Sequence, residues 1–195
     1  MWKILLGFIL TCFLCISQLT EATTTRDVFT KYPNRYFIET GSFLGDGVQM
    51  ALEAGFEQIY SIELAPHYYQ HCCSRFASYP NVTILQGNST TVLPELLKHI
   101  DSPATFWLDG HYSCGINSGK GDTNCPILAE LENIRQHPIK THTILIDDIR
   151  LFGTIHFDFI ALKEVIGKIL TINPNYKICF EDGVVPNDVL VAYIP

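Results

Sequence analysis

Residues 36 to 47 read Tyr-Phe-Ile-Glu-Thr-Gly-Ser-Phe-Leu-Gly-Asp-Gly. The apolar start, Tyr36-Phe37-Ile38, predicts a short buried strand. The stretch after it cannot continue that strand. Gly41, Gly45 and Gly47 interrupt it, because glycine adopts backbone angles closed to other residues and lets main chain approach a neighbour closely. An amphipathic run to about Ala54 then predicts a helix. Strand, glycine-rich turn and helix in this order open an alternating α/β pattern.

The same pattern repeats downstream. Strands are predicted at Ile59 to Leu64, Val82 to Leu85, Ala104 to Leu108 and Thr143 to Ile146. Helices are predicted from Pro66, from Thr91 to Ile100, from Pro126 to Gln136 and from Phe157 to Leu170. Pro66 suits a first helical position, where a missing N–H leaves no bond unmade. Two further strands, Tyr176 to Phe180 and Val189 to Ile194, are joined through Gly183 and Pro186-Asn187 without a helix. Parallel strands require helical crossovers, whereas a short connection reverses direction. The fold class expected is therefore α/β: a Rossmann-like, doubly wound, mostly parallel seven-stranded sheet with a terminal antiparallel strand and helices on both faces.

The chain has 195 residues, of which 47% are hydrophobic and 17% charged, enough for one domain with a real core. Thirteen Lys and Arg against twenty Asp and Glu give a net charge of -7, which does not favour phosphate backbones, so no nucleic-acid partner is expected. Residues 1–22 combine Lys3, an uncharged run from Ile4 to Ile16 and the small-residue stretch Thr20-Glu21-Ala22. That layout predicts a secretory signal peptide, or else a membrane anchor, ahead of a domain at residues 30–195. A cleaved signal implies a secreted, periplasmic or lumenal protein with no stable membrane span, an uncleaved one a membrane-anchored protein, and a misassigned start a cytoplasmic one. The mature part keeps Cys72, Cys73, Cys114, Cys125 and Cys179, too few for a disulfide scaffold. Cys114 and Cys125 bracket one polar loop and are expected either to pair or to remain two thiols.

In sheets of this class ligands bind at the carboxyl ends of the strands. Polar residues stand at each such end: Glu39 to Gly47, Glu63, Asn88, Asp109 with His111, and Asp147 with Asp148. A dinucleotide fingerprint would need glycine at 43 and 46, where Phe43 and Asp46 stand. Glu39 before the loop would repel a pyrophosphate and suits an ammonium group. Glu63 is placed to accept both hydroxyls of a ribose, and Asn88 to touch an adenine edge. Asp109, Asp147 and Asp148 follow neighbouring strands and are positioned to share a hard dication such as Mg²⁺. Simpler readings stay open: Asp148 pairing with Arg150, Asp147 capping the next segment, and His111 bonding within its own loop. Zinc on His111, Cys114 and Cys125 matches no common spacing. His67 and His71 lie one helical turn apart, which also permits a metal but fits a solvated helix face.

The stretches YFIETGSFLGDG, IYSIEL, ILQGNS and FWLDG together resemble the class I S-adenosylmethionine-dependent methyltransferases. The closing antiparallel hairpin is similar to that family's last strand. The resemblance implies that Glu39, Gly41, Ser42, Gly45, Glu63, Asn88 and Asp109 surround the donor. The acids at 109, 147 and 148 resemble the metal-dependent O-methyltransferases, including the macrocin O-methyltransferase-like group. That likeness implies Mg²⁺ on Asp109, Asp147 and Asp148 and a catalytic base at His111. It also implies a small hydroxylated acceptor covered by the loop from Ser113 to Asn124, with Gly115, Gly119 and Gly121 as hinges. The alternatives carried forward are an exported binding module without catalysis, a metal-dependent hydrolase and a dinucleotide-binding enzyme.

Overall fold

A computed structural model describes residues 26–112 and 119–195. The leader expectation, Cys114 and Gly115 lie outside the described residues. The elements in chain order are α1 (Arg26–Lys31), β1 (Tyr36–Thr40), α2 (Asp46–Ala54), β2 (Gln58–Glu63), α3 (Pro66–Arg75), β3 (Val82–Gln86) and α4 (Ser89–Leu97). They continue with β4 (Ala104–Leu108), α5 (Ile127–Gln136), β5 (Thr143–Ile146), α6 (Leu162–Ile172), β6 (Lys177–Glu181) and β7 (Val189–Tyr193). Two single 3₁₀ turns, Ile149–Leu151 and Ile155–Phe157, lie between β5 and α6.

The strands form one seven-stranded sheet in the order β3-β2-β1-β4-β5-β7-β6. The pairs β1·β2, β1·β4, β2·β3 and β4·β5 are parallel, and β7 runs antiparallel between β5 and β6. This is the doubly wound, Rossmann-like architecture expected from the strand pattern. Its central strands β1, β4 and β5 are buried along their whole length, which is why they read as continuous apolar runs.

The pleat sends alternate side chains to opposite faces, and each face has its own core. Ile38, Phe106, Ile144 and Leu190 join Leu93 of α4, Leu131 of α5 and Val165 of α6 on one side. Phe37, Trp107, Leu145 and Val191 join Phe29 of α1, Val48 of α2 and Cys72 of α3 on the other. Phe29 lies 4.8 Å from the Phe37 ring and 5.2 Å from Trp107, centroid to centroid. Removing an aromatic anchor of this kind costs about 3–5 kcal/mol in typical cores.

Two local features depart from the expected helices. The first is α4, which starts at Ser89 rather than Thr91 because Asn88 caps it, its side-chain oxygen accepting from the Thr90 N–H at 3.0 Å. Pro94 inside α4 has no N–H to donate to the Thr90 carbonyl one turn back, and the Asn133 amide of α5 supplies that bond at 2.9 Å. The second is the helix expected from Phe157, which begins only at Leu162. Asp158 and Phe159 have φ of 51° and 58°, incompatible with a continuing helix. The turned-out Asp158 carboxylate instead accepts the N–H groups of Asn124 and Cys125 at 2.8 and 3.0 Å, tying this loop to the one after β4. No described helix is long and apolar enough to cross a membrane.

Candidate active site

The strand order reverses between β1 and β4, so the loops leaving them diverge and open a crevice at their carboxyl ends. Gly41 makes this junction possible. Its φ is +87°, and a Cβ there would stand 2.5 Å from the Asp109 carbonyl oxygen. Only glycine lets the loop after β1 meet the loop after β4 so closely. Above the junction lies a cavity of about 360 Å³, within the range of small-molecule sites.

One half of the cavity is formed by Gly41, Phe43, Glu63, Leu64, Tyr68 and Asn88. Glu63 is nearly buried, and backbone amides fix its carboxylate: Phe43 N–H donates to Oε2 at 2.9 Å and Ala65 N–H to Oε1 at 2.7 Å. Each oxygen retains a lone pair for a further donor. The Asn88 oxygen is engaged by its cap, while its amide nitrogen faces the cavity side near Gly121. Gly119 packs over Leu64 and Ala65, and Tyr112 N–H bonds the Asn124 carbonyl at 2.7 Å. The described part of the expected covering loop, 119–124, therefore lies against this half.

The other half carries Asp109, His111 and Asp148. The His111 ring lies between two carboxylates, with Nδ1 3.2 Å from Asp109 and Nε2 3.2 Å from Asp148. Burial pulls the imidazole pKa down, but the hydrogen bond and charge of Asp109, with the charge of Asp148, outweigh it and raise it. The ring of Phe157, 4.8 Å away between centroids, supports its face. Asp148 has φ 56°, a left-handed conformation that aims its side chain back at this group. Arg150 contacts Asp148 at 2.5 Å and makes a close ion pair with Asp188.

Several expected site residues lie elsewhere. The carboxyl of Glu39 does not line the cavity. It sits beneath Gly47, whose hydrogen it nearly touches, and accepts from the Ser61 hydroxyl at 2.5 Å. Burial pushes its pKa up to about 8, so it is neutral near pH 7 rather than ready for an ammonium group. Ser42 is buried in the same network, 2.5 Å from Ser61. Gly45, with φ 88°, begins α2 and packs on Phe76 and Cys72. These three shape the loop from below and do not face the cavity.

Asp147 is also displaced from its expected role. One oxygen accepts the Asp148 N–H at 2.8 Å, and the other has no hydrogen-bond partner among the described residues. Burial, then the charges of Asp109 and Asp148, pushes its pKa up to about 9. Two sets of donor atoms converge within 4.8 Å among the described residues: Asp109 with His111 and Asp148, and Asp147 with Asp148 and Asp188. The trio Asp109, Asp147 and Asp148 is not one of them. Mg²⁺ on that trio does not fit this arrangement, because an all-oxygen set near 2.1 Å requires convergence that the side chains do not have. The helix-borne pair His67 and His71 is exposed on α3 and belongs to no donor cluster among the described residues.

Two participants were not anticipated. Asp188 precedes β7, and because β7 is antiparallel its beginning lies at the same edge as the carboxyl ends of the other strands. Glu130 of α5 is buried under Gly110, where burial outweighs the Ser89 and Thr40 hydroxyls and pushes its pKa up to about 7.

No family model matches the sequence, and no curated protein matches it. Solved structures do match. The O-methyltransferase TomG from Streptomyces achromogenes, in complex with SAM, superposes with a TM-score of 0.58 at 14% identity, over 87% of this chain and 78% of that one. An O-methyltransferase from Bacillus cereus, in complex with SAH, gives 0.59 at 11% identity, over the same shares of 87% and 78%. The SAH-bound methyltransferase PaMTH1 from Podospora anserina gives 0.55 at 12% identity, over 83% and 72%. The chain shares its fold with these methyltransferases. At these identities the likeness extends to architecture, and the cavity lies at the strand ends where this architecture places its ligands.

Proposed function

We propose that this chain is an S-adenosylmethionine-dependent methyltransferase that methylates a hydroxyl of a small molecule. The observation that carries this reading is that two chemically distinct halves face one cavity. Glu63, Gly41 and Asn88 line one half, which suits a nucleoside, and His111 between Asp109 and Asp148 lines the other, which suits proton transfer.

Glu63 would hold the ribose hydroxyls with a carboxylate whose geometry is already fixed by two backbone amides. The Asn88 amide would meet the adenine, with Phe43 and Tyr68 as apolar walls. When bound, the donor supplies a methyl group on a positively charged sulfur, open to attack by an oxygen in line with the carbon–sulfur bond. The chain's part is to orient the acceptor and take its proton. Asp109 accepts from His111 Nδ1–H and fixes the ring. The acceptor O–H bond would break, its electron pair forming the new oxygen–carbon bond while the carbon–sulfur bond breaks and its pair leaves with the neutral thioether, and the proton would be received between His111 Nε2 and Asp148. Base assistance of this kind is worth about 10²–10⁴-fold. In-line alignment supplies much of the remainder.

Calorimetry with S-adenosylmethionine on the folded wild type and on Glu63→Ala tests the first half. Saturable binding by the wild type and a loss of about tenfold or more in the variant is the expected result. A wild type that takes up no donor rules the reading out. Donor binding with no transfer to any of a panel of hydroxylated acceptors would favour the alternative, a binding module on a methyltransferase fold.

A further inference from the structure

Five side chains at the acceptor half form one chain of contacts, three acids with Arg150 and His111 between them. Asp188, fully buried at the side chain, holds the Arg150 guanidinium and accepts the Arg150 backbone N–H at 3.1 Å. The guanidinium reaches on to Asp148 at 2.5 Å, Asp148 meets His111 Nε2 at 3.2 Å, and His111 Nδ1 meets Asp109 at 3.2 Å. The residues come from the loop after β4, the loop after β5 and the start of β7, so three separate segments converge on one array.

We propose that this array takes the place a divalent cation would fill, and that the acceptor half works with the chain's own positive charges and without a metal. The inference rests on the methyl-transfer reading and refines its acceptor site. An ion bridging Asp109 and Asp148 would need the space that the imidazole occupies, since the ring contacts one carboxylate through each nitrogen. An ion shared by Asp148 and Asp188 would have to displace Arg150. The partly buried Arg150 guanidinium would then lose both of its carboxylate partners, an unfavourable loss for a charge held away from water. Of the two donor sets that converge closely enough for a metal, the first is bridged by His111 at both carboxylates and the second by Arg150 at Asp148 and Asp188, with Asp147 outside the array.

Arg150 is a permanent cation beside Asp148, and His111 becomes a second when it shares the proton leaving the acceptor.

Manganese is a suitable probe, because its free and bound forms differ in electron paramagnetic resonance. Titrated into the full chain at neutral pH, it is expected to stay free with wild type and to bind about tenfold tighter or more to Arg150→Met, whose acids are left without a partner. One equivalent bound by wild type and lost in Asp148→Asn would overturn the proposal. So would unchanged manganese affinity in a folded Arg150→Met. Should Arg150→Met fail to fold, the wild-type titration still decides: one bound ion refutes and none supports. Donor binding measured by calorimetry on the same samples separates the two levels. Absent donor binding sinks the methyltransferase reading, whereas a wild type that binds both donor and manganese sinks only this one.

Discussion

Two histidines, His142 buried and His111 partly buried, sit at opposite ends of the sheet, each with both ring nitrogens engaged, and they are tuned in opposite directions. His111, at the carboxyl end, faces two carboxylates and has its pKa raised. His142, at the amino end just before β5, accepts the Ala104 N–H at Nδ1 (3.0 Å) and contacts His137 Nδ1 through Nε2 at 2.9 Å. Its Nδ1 accepts, so its proton must lie on Nε2 and be donated to His137, whose own Nε2–H then reaches the Ile100 carbonyl at 3.2 Å. That chain is complete with both rings neutral. Burial, then the charges of His137 and Lys140, lowers the His142 pKa to about 3. The residue type is shared and the surroundings differ: two carboxylates favour a proton on His111, whereas full burial against a backbone amide disfavours one on His142. Only the histidine that welcomes a proton opens on the cavity.

Removing each ring should separate the two roles. His111→Ala is expected to lower methyl transfer by about 10²–10⁴-fold while leaving donor binding and the unfolding midpoint nearly unchanged. Turnover and calorimetry on one sample measure this. Activity within a factor of about two of wild type would remove His111 from the proton path. His142→Ala is expected to do the reverse. It leaves the Ala104 N–H and His137 without their partner and opens a void, costing about 2–4 kcal/mol in denaturant unfolding. Activity per folded molecule should hold, and a stability loss below about 0.5 kcal/mol would show that the chain of bonds contributes little.

Acid sharpens the contrast. His142 resists protonation in the folded chain, whereas in the unfolded chain it takes a proton near pH 6.5. Between these values the unfolded state binds more protons, so stability rises with pH, reaches its full value above about 6.5, and falls on acidification by up to about 1.4 kcal/mol per unit. Glu39 and Glu130 act in the opposite sense. Their raised pKa values of about 8 and about 7 make their contribution complete at low pH and lost as pH rises through those values. The net curve mixes these effects, and the variant isolates one. The penalty for His142→Ala should be smaller at pH 5 than at pH 7.5 by about 2 kcal/mol. An equal penalty at both would mean that His142 titrates normally in the fold.

What could be read from the sequence follows the same physics. The sheet was legible because strands buried on both faces carry unbroken apolar runs, as in Phe37-Ile38 and Ile144-Leu145. Gly41, Glu63, Asn88, Asp109, His111 and Asp148 were legible because they end or follow parallel strands, where the topology places a ligand. Asp188 was not, since it begins a strand and reaches that edge only because β7 is reversed. Glu39 and Gly45 were placed at the right end of the sheet but on the wrong side of the loop, because chain position does not say whether a side chain points up into a crevice or down beneath it. Helix α1 left little signal, its six residues being too few for a period to show. The helix expected from Phe157 was lost to the Asp158 cap on the loop after β4, a contact between distant segments.

The smallest expected effect tests how far the amino-end network extends. The Tyr176 hydroxyl donates to the His142 carbonyl at 2.8 Å, and burial raises its pKa well above that of a free phenol. Tyr176→Phe keeps the ring in the core and removes only this donor, leaving one buried carbonyl short of a bond. The cost should be about 1 kcal/mol, read as a shift of the denaturant midpoint without a change of slope. Combined with His142→Ala, the two losses test coupling. A side-chain network rigidified through this carbonyl predicts a double variant less damaged than the sum by about 0.5 kcal/mol or more, while simple addition would mean that the hydroxyl steadies only the backbone. Neither variant should alter donor binding. A change there would carry the influence of the amino end across the sheet to the cavity and undo the separation of the two histidines.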